Sequence, residues 1–113
     1  MLWVNSPGNP TGHLDDLGAA AAWGRANAVP VFSDECYVEF TWTGPGRTIL
    51  ESGLDGVVAV HSLSKRSNLA GVRVGFYAGD AELLVANSRI YANAYGGVSN
   101  NTPKVVVDAR RNW

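Results

Sequence analysis

Val57-Val58-Ala59-Val60-His61-Ser62-Leu63-Ser64-Lys65 passes from small apolar residues directly into hydroxyls and an amine. A short apolar run rich in β-branched residues, with no polar alternation, reads as a strand buried on both faces, as in a parallel sheet covered by helices. Polar groups at the end of such a strand lie where open α/β sheets bind ligands. Arg73 follows Lys65 by eight residues. A lysine amine condenses with carbonyls to form a Schiff base, and hydroxyls with a planar guanidinium are the usual partners of a phosphate dianion. The span therefore carries the groups that hold a phosphorylated aldehyde and bond to it covalently. Taken alone, it also fits a solvated lysine after two loop serines.

Two upstream segments repeat the pattern. Asn5-Ser6-Pro7-Gly8-Asn9-Pro10-Thr11-Gly12 is a turn-rich loop after the apolar run Met1 to Val4, and Ser33-Asp34-Glu35-Cys36-Tyr37 follows the apolar run Val29 to Phe32. Each places polar groups at a strand end. The strands expected are Leu2 to Val4, Val29 to Phe32, Val57 to Val60 and Val72 to Ala78. A helix is expected from about Leu14 to Asn27, with Asp15 and Asp16 in its first turn and Leu14, Leu17 and Ala21 on one apolar face. Thr41 to Arg47 reads as a surface loop, Ile49 to Ser52 as one helical turn, and Ala81 to about Arg89 as a longer helix. The result is a β-α-β arrangement of α/β class.

In this order and spacing, Asn9-Pro10-Thr11-Gly12, Asp34-x-x-Tyr37, Ser62-x-Ser64-Lys65 and Arg73 resemble the class I/II aminotransferases, which are fold-type I pyridoxal-phosphate enzymes. The resemblance covers roughly residues 2 to 84. It implies part of the large, mostly parallel-sheet, three-layer catalytic domain of that fold. His61 to Lys65, Ser67 to Arg73 and Gly75 to Asp80 are most similar to the N-succinyldiaminopimelate aminotransferases of actinobacterial type. That would make the reaction an amino-group transfer between an amino acid and a 2-oxo acid, with glutamate and an N-succinylated amino-oxo-pimelate as the implied pair. Aspartate and aromatic amino acids are the alternatives within the class.

The resemblance also implies roles. Lys65 would anchor pyridoxal 5'-phosphate covalently and then carry the proton at the substrate α-carbon. Asp34 would face the pyridine nitrogen and keep it protonated. Asn9 and Tyr37 would hydrogen-bond the phenolic oxygen, and Ser62, Ser64 and Arg73 would hold the phosphate. In the family, the substrate carboxylate is held by a C-terminal arginine, the ring is stacked by an upstream aromatic, and a partner subunit of a homodimer completes the site. None of these lies in the matching segment, so the chain is expected to be a fragment, inactive alone, with residues 1–84 a partial cofactor-binding domain. Residues 85–113 read as a divergent tail, disordered or shifted in frame.

Composition agrees without demanding this. The 113 residues are 46% apolar with net charge −1, which gives no electrostatic case for nucleic acid or an anionic membrane. Cys36 is the only cysteine, which excludes an internal disulfide and suits a cytoplasmic setting; it is expected to be a small buried hydrophobe. No apolar run approaches a bilayer span and no signal peptide is evident. His13 and His61 lack neighbours at metal-site spacing, so no metal is expected.

Other functions meet the same residues less well. Ser62-x-x-Lys65 fits the serine-acylating pattern of β-lactamases and penicillin-binding proteins, but the later Ser-Asp-Asn and Lys-Thr-Gly are missing. No glycine-rich nucleotide motif is present. A chain that only binds pyridoxal phosphate, as an inactive remnant, stays open at this level.

Overall fold

The computed structural model describes residues 1–86. The four strands β1 (Leu2–Asn5), β2 (Val31–Asp34), β3 (Val57–Ser62) and β4 (Gly75–Gly79) form one sheet in the order β1-β2-β3-β4. β1, β2 and β3 are parallel, in a register that aligns Asn5, Asp34 and Val60 across the sheet. β4 runs antiparallel to β3, with Gly75 opposite Ser62. The α/β, mostly parallel expectation therefore holds, with an antiparallel strand at one edge.

Helix α1 (Leu17–Ala26) crosses one face of the sheet and buries Leu17, Ala21 and Gly24, which share one side of the helix. They pack with Val31, Ile49, Val57 and Ala59 to form the core. Glycine is required at position 24 because a Cβ there would collide with the Val31 side chain and the Val29 carbonyl. The opposite sheet face stays open at Trp3, which stacks on Phe32, and at Tyr77; both exposed rings are 50% accessible. β2 alternates buried with half-buried residues, whereas Val57, Val58 and Ala59 of β3 are buried on both faces. Burial on both faces was expected of both strands and holds for β3 alone, because the face of β2 carrying Phe32 and Asp34 is only partly covered.

Several boundaries move, each for a local reason. α1 starts at Leu17 because the Asp16 side chain caps it, Oδ1 accepting from the Ala19 N–H at 2.9 Å. Leu14 lies outside the helix, 47% exposed, and neither aspartate is in the first turn. β2 begins at Val31, since the Val29 N–H donates to the Gly24 carbonyl and so belongs to the helix exit. β3 extends to Ser62 because His61 and Ser62 pair with Phe76 and Gly75. The expected strand from Val72 breaks at Arg73, whose φ of 56° ends a 3-10 turn over Ala70–Val72. The loop over 41–47 and the turn Ile49–Ser52 form as expected. Thr48 and Glu51 close the latter in a reciprocal capping box. A short helix α2 (Leu63–Arg66) carries Lys65, and α3 (Ala81–Ala86) follows β4. The remainder of the helix expected to Arg89 and the tail lie outside the described residues. Among the described residues, no helix is long and apolar enough to cross a membrane.

Candidate functional site

The carboxyl ends of β1, β2 and β3 share one edge of the sheet, and antiparallel β4 enters from that same edge. Residues distant in sequence therefore meet there. Asn5 closes β1 and ties two of them together: its Oδ1 accepts the Asn9 N–H at 2.9 Å, and its Nδ2 donates to the Asp34 carbonyl at 3.2 Å. The Ser6 N–H donates to the same carbonyl at 3.1 Å. The loop that follows, in which Ser6–Pro7 and Asn9–Pro10 are cis, is thus fastened to the end of β2. Asn9 then reaches Tyr37, its Nδ2 donating to the phenolic oxygen at 3.3 Å across 28 residues of sequence. Donation from Asn9 leaves the Tyr37 hydroxyl proton available for a ligand.

Asp34 is half-buried on the sheet face opposite α1, and one carboxylate oxygen accepts the Cys36 N–H at 3.1 Å. That carboxylate also acts on Cys36. Burial first, then the hydrogen bond and negative charge of Asp34, push the thiol up to about 11. Cys36 is only half-buried, rather than fully buried as expected, but its thiol stays protonated at neutral pH.

At the end of β3, Ser62 caps α2. Its Oγ accepts the Ser64 N–H at 3.1 Å and lies 2.9 Å from the Ser64 hydroxyl. Lys65 stands exposed one residue further. Arg73 is exposed, with one guanidinium nitrogen donating to the Ala70 carbonyl at 3.0 Å. Its neighbour Val74 accepts the Leu63 N–H at 3.1 Å, which brings the Arg73 segment alongside the Ser62–Lys65 turn. Gly75 permits this close approach, since a Cβ there would lie 2.7 Å from the His61 carbonyl oxygen. A further tie joins Arg66 to Glu39 at 2.9 Å, linking the Lys65 helix to the segment after Tyr37.

All the residues singled out in the sequence (Asn9, Asp34, Tyr37, Ser62, Ser64, Lys65 and Arg73) therefore lie at one edge. The donor set suits pyridoxal phosphate: a primary amine for the aldehyde, hydroxyls and a guanidinium for the phosphate, a carboxylate for a basic ring nitrogen, and an amide–phenol pair for the phenolic oxygen. Sequence reasoning missed Asn5, although its place directly before the loop was a usable signal. It also missed Glu35 and His61, which pack together behind this edge. No local signal pairs them: both fall one residue beyond the aligned Asp34 and Val60 and lie on the α1 side, so their meeting depends on the strand register.

The sequence matches the family described as Aminotransferase class I and II over residues 1–112. It is 42% identical over 92 residues to the 4-dedimethylamino-4-oxo-anhydrotetracycline transaminase of Streptomyces rimosus, covering 74% of this chain and 26% of that protein. To LL-diaminopimelate aminotransferase 2 of Trichormus variabilis it is 32% identical over 115 residues, 96% of this chain and 30% of the relative. The fold superposes on a probable N-succinyldiaminopimelate aminotransferase from Thermus thermophilus with a TM-score of 0.68 and 38% identity, over 74% of this chain and 24% of that one. The chain thus spans about a quarter to a third of the length of these relatives. With the family match running almost end to end and the fold agreeing independently, this chain belongs to the class I and II aminotransferases.

Proposed function

We propose that the chain carries the cofactor-holding part of a pyridoxal-phosphate-dependent aminotransferase, moving an amino group between an amino acid and a 2-oxo acid. The observation that carries this is the meeting of the Asn9–Tyr37 pair, Asp34 and the Ser62–Lys65 turn at one sheet edge. Pyridoxal phosphate supplies an electron sink for the charge left when a substrate loses its α-proton.

The remaining chemistry belongs to this chain. Lys65 would hold the cofactor through its amine, and that amine, once freed, would take and return the proton at the substrate α-carbon. Asp34, which has one carboxylate oxygen on the Cys36 N–H, would hold a proton on the pyridine nitrogen with the other. Tyr37 would donate its hydroxyl proton to the phenolic oxygen, with Asn9 holding the phenol in place. Ser62, Ser64 and the remaining N–H groups of Arg73 would bind the phosphate.

For the substrate, we extend the proposal to glutamate with an N-succinylated amino-oxo-pimelate, in lysine biosynthesis. The likeness to the Thermus thermophilus structure and to LL-diaminopimelate aminotransferases supports this reading. Aspartate and aromatic amino acids are the runners-up. The same reading extends to a cytoplasmic homodimer. The test is to add pyridoxal phosphate to the purified chain, follow the visible band of a lysine-linked cofactor, then add glutamate with a panel of 2-oxo acids and measure 2-oxoglutarate. A chain that forms no covalent complex overturns the proposal. A complex without turnover supports a second reading, a cofactor-binding chain that is not catalytic alone, which its short span relative to the relatives favours.

A further inference from the structure

Behind the candidate site, on the α1 side of the sheet, lies a polar pair with no part in the chemistry above. Glu35 is 0% exposed. Its N–H continues the β2–β3 ladder by donating to the Val60 carbonyl at 2.9 Å, which sets the residue beside His61. One carboxylate oxygen accepts the Ile49 N–H at 2.8 Å, and the other lies 3.3 Å from His61 Nε2. The imidazole is stacked on Phe76 of β4, with ring centroids 4.8 Å apart and planes 16° from parallel. Its Nδ1 is buried without a hydrogen-bond partner, and so is the Glu35 oxygen facing Nε2, so the 3.3 Å approach is a close polar contact and not a hydrogen bond. A carboxylate so enclosed is costly unless paired, and among the described residues the imidazole is its only side-chain ion partner.

Four segments converge on this pair: the end of β2, the end of β3, the Ile49 turn and β4. Glu35 directly follows Asp34, and His61 directly precedes Ser62. Alternation along each strand sends Asp34 to the opposite face from Glu35 and Ser62 to the opposite face from His61, so neither member of the pair shares a face with those candidate site residues.

We propose that Glu35 and His61 are positioning residues: a buried clasp that fixes the spacing between Asp34 and the Ser62–Lys65 turn, and so sets how tightly the chain holds a phosphorylated aldehyde. The ligand side of this inference rests on the function proposed above. The clasp itself is a statement about the fold and is tested separately.

The experiment is a double-mutant cycle on the whole chain with Glu35→Ala, His61→Ala and both together, reading the pyridoxal phosphate dissociation constant from the visible band and the melting temperature without cofactor. Each single variant should raise the constant about tenfold, and the double variant should raise it no further, because coupled partners are not additive. Glu35→Gln keeps an oxygen for Ile49 and an amide for His61, and should restore most of the affinity. Val31→Ala, a core cavity away from the site, should lower melting yet leave the constant within about twofold. Additive effects, or a constant that simply follows melting temperature across all variants, overturn the clasp.

If Glu35→Ala does not fold, Glu35→Leu with His61→Phe keeps the face packed without the polar contacts, and a raised constant at near-parent melting temperature supports the same conclusion; an unchanged constant overturns it. If the unaltered chain forms no covalent complex, the function reading fails, and amide hydrogen exchange without cofactor decides the clasp. Faster exchange at Ser62 to Arg66 in the clasp variants than in Val31→Ala supports it; equal exchange overturns it.

Discussion

The two ends of the sheet use polar groups in opposite ways. At the end where β3 begins and β4 finishes, Asp80 places both carboxylate oxygens on backbone donors. Oδ2 accepts the Gly56 N–H at 2.8 Å, and Oδ1 accepts those of Glu82 and Leu83 at 2.9 and 3.3 Å. Arg25 there reaches the carbonyls of Asp55 and Gly53 at 2.9 and 3.2 Å. These groups spend their hydrogen-bonding capacity on closing turns and capping α3. At the other end, Lys65 and Arg73 stand exposed, Tyr37 keeps a free proton, and Asp34 has one oxygen on Cys36. The difference is one of remaining capacity: a saturated network stabilises the fold, whereas an unsaturated one can take a ligand.

The sharpest way to break this contrast is at Lys65. Reduction of the pyridoxal phosphate complex with borohydride and peptide mapping should place the label on Lys65, and Lys65→Ala should abolish it. The chain contains one other lysine, Lys104, and a label there would remove the ligand-binding end from the comparison. Asp34→Asn is next in size. Made at the matching position of a full-length relative, it should lower turnover roughly a hundredfold or more, while covalent cofactor retention falls much less. Unchanged turnover would show that Asp34 belongs with the saturated, structural carboxylates.

The saturated end predicts the reverse, with stability changing and ligand binding unaffected. The Gly56 N–H, partly opposed by burial and helped by the Leu83 and Glu82 N–H groups, holds the Asp80 carboxyl below its ordinary range. Because the folded value is depressed, its contribution is full above the unfolded carboxyl value and is lost as pH falls through the folded one. Asp80→Asn should therefore cost about 1–2 kcal/mol at neutral pH, shrinking below about pH 4, with cofactor affinity unchanged. Chemical denaturation of parent and variant across acid pH checks the sign. The smallest effect is expected at Asp16→Ala, where loss of the α1 cap should cost about 1 kcal/mol, again without touching affinity.

Legibility followed the same division. The unsaturated residues were readable because their type and order carry a family resemblance: Asn9, Asp34, Tyr37, Ser62, Ser64, Lys65 and Arg73 were singled out by that resemblance without any geometry. The capping residues were harder. Asp16 looked like a first-turn charge, and only the bond to the Ala19 N–H shows it standing outside the helix. Arg73 looked like the second residue of a strand, yet its positive φ is what separates the turn from β4.

By itself, then, the sequence determined the α/β class and the order of strands along the chain, and through its family resemblance it named the groups at the candidate ligand end. Those follow from short-range properties: apolar runs, turn residues and side-chain chemistry. The tertiary structure decided what depends on distant partners. It set the antiparallel direction of β4, the tie from Asn5 to both Asn9 and Asp34, and the burial of Glu35 against His61. Glu35 and His61 lie 26 residues apart in sequence. Their meeting is fixed by the register of two strands, and register is set by side-chain packing across the whole sheet, a property that no local stretch of residues carries.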